Sequence, residues 1–181
     1  MPRVVHVLEP DAPGCGPSTW SVLAALQSDD AVIVIGGDRV AEGVVGAGAT
    51  VTAAVPAPLR NPRLAGPAIG RSLRSCPPDR VVAWSESALV AVLASGTSAE
   101  VVGVVAAIES RPPMIEAWRR EAATVHPVGP ETGPELARRG WRLGSIIDAA
   151  DLPVRGPDHP DRRQTRRESI RGQWGIDDDR L

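Results

Sequence analysis

Short apolar runs rich in β-branched residues recur along the chain, separated by longer segments of mixed polarity. "VVHVL" (4–8), "AVIVIGG" (31–37), "TVTAAV" (50–55), "RVVAW" (80–84), "EVVGVVAAI" (100–108), "TVHPV" (124–128) and "WRLGSII" (141–147) read as strands. Their apolar positions run on without alternating, as in strands covered on both faces. Helices fit between them. Residues 18–28 place Trp20, Leu23 and Leu26 at helical spacing, with Ser18 or Thr19 as cap. Residues 38–48 form a short helix, and 64–75 a helix interrupted by Pro67 and stopped by Pro77 and Pro78. Residues 85–96 start at Ser85 and stop at Gly96, and 112–122 open on prolines, which suit a first turn. Thr132 and Glu135 have the spacing of a capping box opening "ELARRG".

Strands alternating with helices, each strand apolar on both sides, predict helices on both faces of a mostly parallel sheet. With right-handed crossovers this is an α/β, Rossmann-like doubly wound domain, expected over residues 1–153. The stretch from 154 begins as a Pro/Gly linker and becomes a polar helix over about 161–174, in which Ile170 and Trp174 stand at i and i+4 as a possible partner surface.

Composition narrows the chemistry. The chain has 181 residues and a formal charge of −2, so no global field points to nucleic acid or to an acidic membrane surface. The arginines of "RRQTRRESIR" are interleaved with acids and lack an aromatic platform, as in a solvated inter-domain helix. All 20 basic residues are arginine, which excludes a Schiff-base lysine and a P-loop lysine from this chain. Cys15 and Cys76, with His6, His126 and His159, lack zinc-site spacing, so no metal and no cofactor is expected. No segment approaches the roughly 20 apolar residues that span a bilayer, and the opening apolar run is too short for a signal peptide. The expectation is a cytoplasmic protein.

Candidate ligand positions follow from the doubly wound fold, where ligands bind off the carboxyl ends of strands. The first loop, "EPDAPGCGPSTW" (9–20), is longer than the usual connection of about 2–6 residues. Gly14 and Gly16 would let backbone N–H groups approach a phosphate at a helix beginning with Ser18 and Thr19. A proline-stiffened turn with a Ser/Thr cap explains the same residues. After the fourth strand come Ser85, more often an N-cap than a ligand, and Glu86, which with Trp84 would line a ligand pocket; Trp84 is most simply read as core. After the fifth strand come Glu109 and Ser110. Glu109 is the candidate to accept a hydrogen bond from a ligand hydroxyl or act as a base, or else a solvated loop residue. His6 and His126 read as structural.

Three stretches carry a family resemblance. "VVHVLEPDAPGCGPSTWSVLAAL" has an opening strand, a Gly-rich loop and a helix. "ATVHPVGPETGPELARRGWRLGSIIDAADLP" runs strand, helix ending in Gly, strand and turn, and "RRESIRGQWGIDDDRL" reads as a linker helix. In this order the chain resembles the N-terminal half of a GT-B glycosyltransferase of the family-4, glycogen-synthase-like kind. The resemblance implies an acceptor-side domain over 1–153, a linker over 154–181, and the first loop beside the donor diphosphate at the mouth of an inter-domain cleft. Many members carry a histidine near residues 106–113; this stretch has none.

The function so implied is transfer of a sugar from a nucleotide-sugar to an unknown acceptor, with retention of configuration. The donor half is expected to be missing from this chain, so that the isolated chain is inactive. The alternative is a free-standing, non-catalytic Rossmann-like protein that binds a ligand or a partner chain. A nucleotide-dependent oxidoreductase lacks its GxGxxG fingerprint here.

Overall fold

The structure is a computed structural model that describes residues 4–9, 12, 30–36, 42, 45, 50–55, 62–109 and 115–148. Seven strands form one sheet: β1 (Val4–Leu8), β2 (Ala31–Ile35), β3 (Val51–Val55), β4 (Arg80–Ala83), β5 (Glu100–Val105), β6 (Ala123–Pro127) and β7 (Arg142–Leu143). Their order is β3-β2-β1-β4-β5-β6-β7, and every pair is parallel. The chain builds outward from β1 to β3 on one side, then returns to lay β4 against the other side of β1. The strand order therefore reverses between β1 and β4, where the doubly wound fold opens a crevice at the carboxyl edge. The predicted α/β, Rossmann-like class is the observed one.

Alternate residues of the strands feed two cores, as the twofold repeat of a strand requires. Val5 and Val7 of β1, Ile33 of β2 and Val81 of β4 join one cluster. Helix α1 (Pro62–Ser75), helix α2 (Glu86–Ala94) and helix α4 (Thr132–Arg138) cover it with Ile69, Leu89 and Leu136. Val4 and Leu8, with Val32, Val34, Val82, Trp84 and Val102, form the second cluster on the opposite face. β1 and β2 are buried along their whole length, whereas β3, at the sheet edge, is only partly covered.

Four local expectations are corrected. Pro67 does not interrupt its helix, because α1 runs unbroken from Pro62 to Ser75. Pro67 lies on the exposed side, where water can serve the carbonyl that its missing N–H leaves free. The capping box does not form. Thr132 is already inside α4 and its hydroxyl donates to the Val128 carbonyl at 3.0 Å, while Glu135 turns to Arg138 and Arg139. Within 112–122 the helix described, α3, is only Ala117–Arg120. The seventh strand is two residues long, and Ile147 returns to bridge Val128. Between them the chain bends tightly around the His126 ring, whose Nδ1 lies 3.0 Å from the Ser145 carbonyl. Gly144 stands against that ring where a Cβ would collide with it.

The helix expected at 18–28 and the linker with Ile170 and Trp174 lie outside the described residues, as does most of the helix expected at 38–48. Among the described residues, no helix is long and apolar enough to cross a membrane.

Candidate functional site

The turn that follows β4 gathers the polar groups of the carboxyl edge. Ser85 is extended (φ −157°, ψ 166°), and its Oγ accepts from the Ala88 N–H at 3.0 Å, which makes it the N-cap of α2. That geometry leaves Glu86 and Ser87 as the first residues of the helix, whose N–H groups have no partner within the helix itself. The Ser87 N–H donates to Glu109 Oε1 at 2.8 Å. The Ser87 hydroxyl donates to Glu9 Oε2 in a short hydrogen bond and lies 3.1 Å from Ser85 Oγ. Glu9 directly follows β1, and Glu109 lies beyond the end of β5. Two carboxylates from the strands on either side of β4 thus converge on one serine at the switch point, where the positive end of the helix favours them.

Behind this cluster lies a second, buried one. Glu86 is 1% exposed. Its Oε2 receives Arg139 Nη1 at 2.6 Å, and its Oε1 receives the Trp141 indole N–H at 2.9 Å. Arg139 also donates through Nη2 to the Glu109 carbonyl at 2.8 Å and through Nε to Glu135 at 3.0 Å. One guanidinium thereby ties α4 to the start of α2 and to the loop that carries Glu109. Arg120 donates to the Arg139 carbonyl and stacks over the Trp141 ring, 5.7 Å from its centroid.

Two carboxylates bonded to Arg139 are shifted from their ordinary values, in opposite directions. Burial pushes the Glu86 carboxyl above its ordinary value; the Trp141 hydrogen bond and the Arg139 charge pull it back, and the Glu109 charge adds to the rise. Glu135, bonded to Arg139 and close to Arg138, is held below the ordinary value.

The structure brings Ser85, Glu86 and Glu109 together within this edge. Glu86 points inward, with both oxygens held by the chain, whereas the Glu109 carboxylate lies at the half-buried rim. Gly14, Gly16, Ser18, Thr19 and Ser110 lie outside the described residues. Sequence reasoning passed over Glu9, Ser87, Arg139 and Trp141. Glu9 had a usable signal, being the first residue past the end of β1. Arg139 and Trp141 had none, because they meet Glu86 across 53 and 55 residues of chain. Among the described residues, no three His, Cys, Asp or Glu side chains are grouped so as to hold a metal ion.

The N-cap allows a direct check. Ser85→Ala removes the side-chain acceptor of α2 and should lower stability by about 1 kcal/mol in urea unfolding.

An all-parallel α/β sheet that reverses between its first and fourth strands, with its polar side chains gathered at that reversal, defines a Rossmann-like domain with a ligand-type carboxyl edge. No protein-family model matches the chain, and no curated protein or solved structure is significantly similar to it.

Proposed function

We propose that residues 1–153 act as the acceptor-side domain of a retaining GT-B glycosyltransferase that moves a sugar from a nucleotide-sugar to a hydroxyl-bearing acceptor. The observation that carries this reading is the run β6, α4, Gly140, β7, with Ile147 set back on Val128. It is the order in which that half of the resembled family closes. The carboxyl-edge cluster supports it, since it sits where a doubly wound domain takes its ligand. In this reading Glu109 accepts the hydrogen bond of the acceptor hydroxyl, and the Ser87 N–H and Arg139 hold its carboxylate and backbone in place. Gly14, Gly16, Ser18 and Thr19 would bind the donor diphosphate. Ser110 and Ser85 would complete the acceptor side, and most of the nucleotide-sugar contacts would come from a second half outside residues 1–181.

One observation favours a different reading. Ser87 satisfies Glu9 and Glu109 from within the chain, as a non-catalytic domain that binds a partner or a ligand elsewhere would allow. The discriminating experiment has two parts. The native polypeptide is sized in its own cells with an antibody to this domain; it should run well above the 19.0 kDa of residues 1–181. That polypeptide is then incubated with uridine-, guanosine- and adenosine-diphosphate sugars and cell-extract glycans, and release of the nucleotide is followed. Sugar-dependent release, reduced about a hundredfold in Glu109→Gln, is the expected result. A native size of 19.0 kDa with no release from any donor would overturn the transferase in favour of the binding protein.

A further inference from the structure

On the second face of the sheet, beneath the crevice, lies a polar chain that the carboxyl-edge cluster does not use. His6 is fully buried in the middle of β1, on the face that carries Val4, Leu8, Val32, Val34 and Val82. The Trp84 indole N–H donates to His6 Nδ1 at 3.1 Å. An indole only donates, so Nδ1 carries the lone pair and the single ring proton sits on Nε2. That Nε2 faces Asp30 Oδ2 at 3.8 Å, beyond direct hydrogen-bond reach. Among the described residues, both atoms are buried without a hydrogen-bond partner, and Asp30 itself is 8% exposed.

Strand alternation places two other charged groups on this face of the neighbouring strands, Arg80 of β4 and Glu100 of β5, and they pair with each other at 2.7 Å. The remaining positions of β1 and β2 on this side are valine and leucine. Among the described residues, Asp30 is therefore the carboxylate that meets the His6 ring.

We propose that a second proton on His6 releases Trp84 and draws the ring onto Asp30, making this buried chain a pH-sensitive latch on the Ser85–Ser87 turn. The neutral ring accepts from Trp84 and leaves Asp30 at a distance. An imidazolium has two N–H donors and no acceptor, so it cannot keep the indole bond. It gains in exchange a charge-assisted bond to the carboxylate. The proton comes from solvent and forms an N–H bond at Nδ1; no other covalent bond changes. Trp84 immediately precedes Ser85, the cap of the helix whose first turn holds Glu9 and Glu109, so loss of the indole bond loosens the residue that leads into the cluster, while its backbone N–H stays on the Val7 carbonyl at 3.0 Å. The latch depends only on the fold and stands whether or not the domain serves a transferase.

The test follows the ring nitrogens of the whole chain by long-range proton–nitrogen NMR as the pH is lowered from neutrality. His6→Gln and Trp84→Phe assign the signals; if either fails to fold, His126→Gln with His159→Gln assigns His6 by elimination, and the indole that moves with it is followed. The expected result at neutral pH is a bare Nδ1 and a protonated Nε2. On acidification, ring protonation and the shift of one indole N–H should occur together, with amide exchange at Ser87 and Ala88 rising about five- to tenfold, the equivalent of one lost hydrogen bond. An Nδ1–H tautomer at neutral pH would overturn the proposal. So would an indole signal that stays fixed while the ring titrates, or one that stays fixed until the protein unfolds.

Discussion

Glu86→Ala should cost about 3–5 kcal/mol, the largest loss expected from any single side chain at the carboxyl edge. The substitution leaves Arg139, only 11% exposed, without its buried carboxylate, and it leaves the Trp141 N–H without an acceptor. Arg139 keeps only the more exposed Glu135 carboxylate, and a buried charge that loses its buried partner is worth more than the packing of the side chain removed. Denaturant unfolding measures the total, and the loss should be shared by Arg139→Met if the two side chains act as a pair. The double variant Glu86→Leu with Arg139→Met should then recover part of the stability, since neither charge remains to be buried. A sum of two independent losses in the double variant would show that the ion pair is not the unit.

The same side chain predicts a pH dependence of definite sign. Burial raises the folded-state value of Glu86 above 4.5, so between the unfolded and folded values the native protein binds more protons than the unfolded chain. This contribution to stability therefore falls as pH rises through that interval. Glu135 works the other way. Its value is lowered, so its contribution is present above the unfolded value and disappears as pH falls through the folded one. Glu86→Gln should remove the first slope and leave the second, and added salt should weaken only the second, because Glu135 is at the surface. Urea midpoints measured across the acid range at low and high salt separate the two.

The second large effect lies where the two central helices cross. Gly66 of α1 faces the end of α2 so closely that a Cβ built there would sit 2.9 Å from the carbonyl carbon and Cβ of Ala94 and 3.0 Å from its oxygen. These atoms are backbone and near-backbone, so they cannot rotate away as a long side chain would. Gly66→Val must push α1 off α2 and open the core around Ile69 and Leu89. About 2–3 kcal/mol of destabilisation is expected, with a lower thermal midpoint as the readout. Helix propensity alone predicts the opposite, since glycine is a poor helix residue. A neutral or stabilising outcome would mean that the helices have room to part.

Much of this architecture was legible from local chemistry. β1 and β2 could be read from unbroken β-branched runs because both of their faces are covered, so no polar position was needed on either side. The start of α2 was legible at Ser85, whose hydroxyl caps the helix from within its own turn. The failures were also local in origin. Pro67 and the Thr132–Glu135 spacing are break and start signals only when nothing nearby competes. Exposure of Pro67 made its lost hydrogen bond cheap, and the Val128 carbonyl took the Thr132 hydroxyl.

The sequence by itself determined the alternation of strand and helix, the parallel sheet that this alternation requires, and the edge at which polar residues would collect. Those properties rest on periodicity and chain connectivity, which act over a few residues at a time. Tertiary structure alone decided which polar groups meet: Glu9 and Glu109 on Ser87, Glu86 between Arg139 and Trp141, and His6 between Trp84 and Asp30. These partners lie on different elements and loops, far apart along the chain, and a hydrogen bond is set by angstroms in space. No spacing along the chain carries that distance.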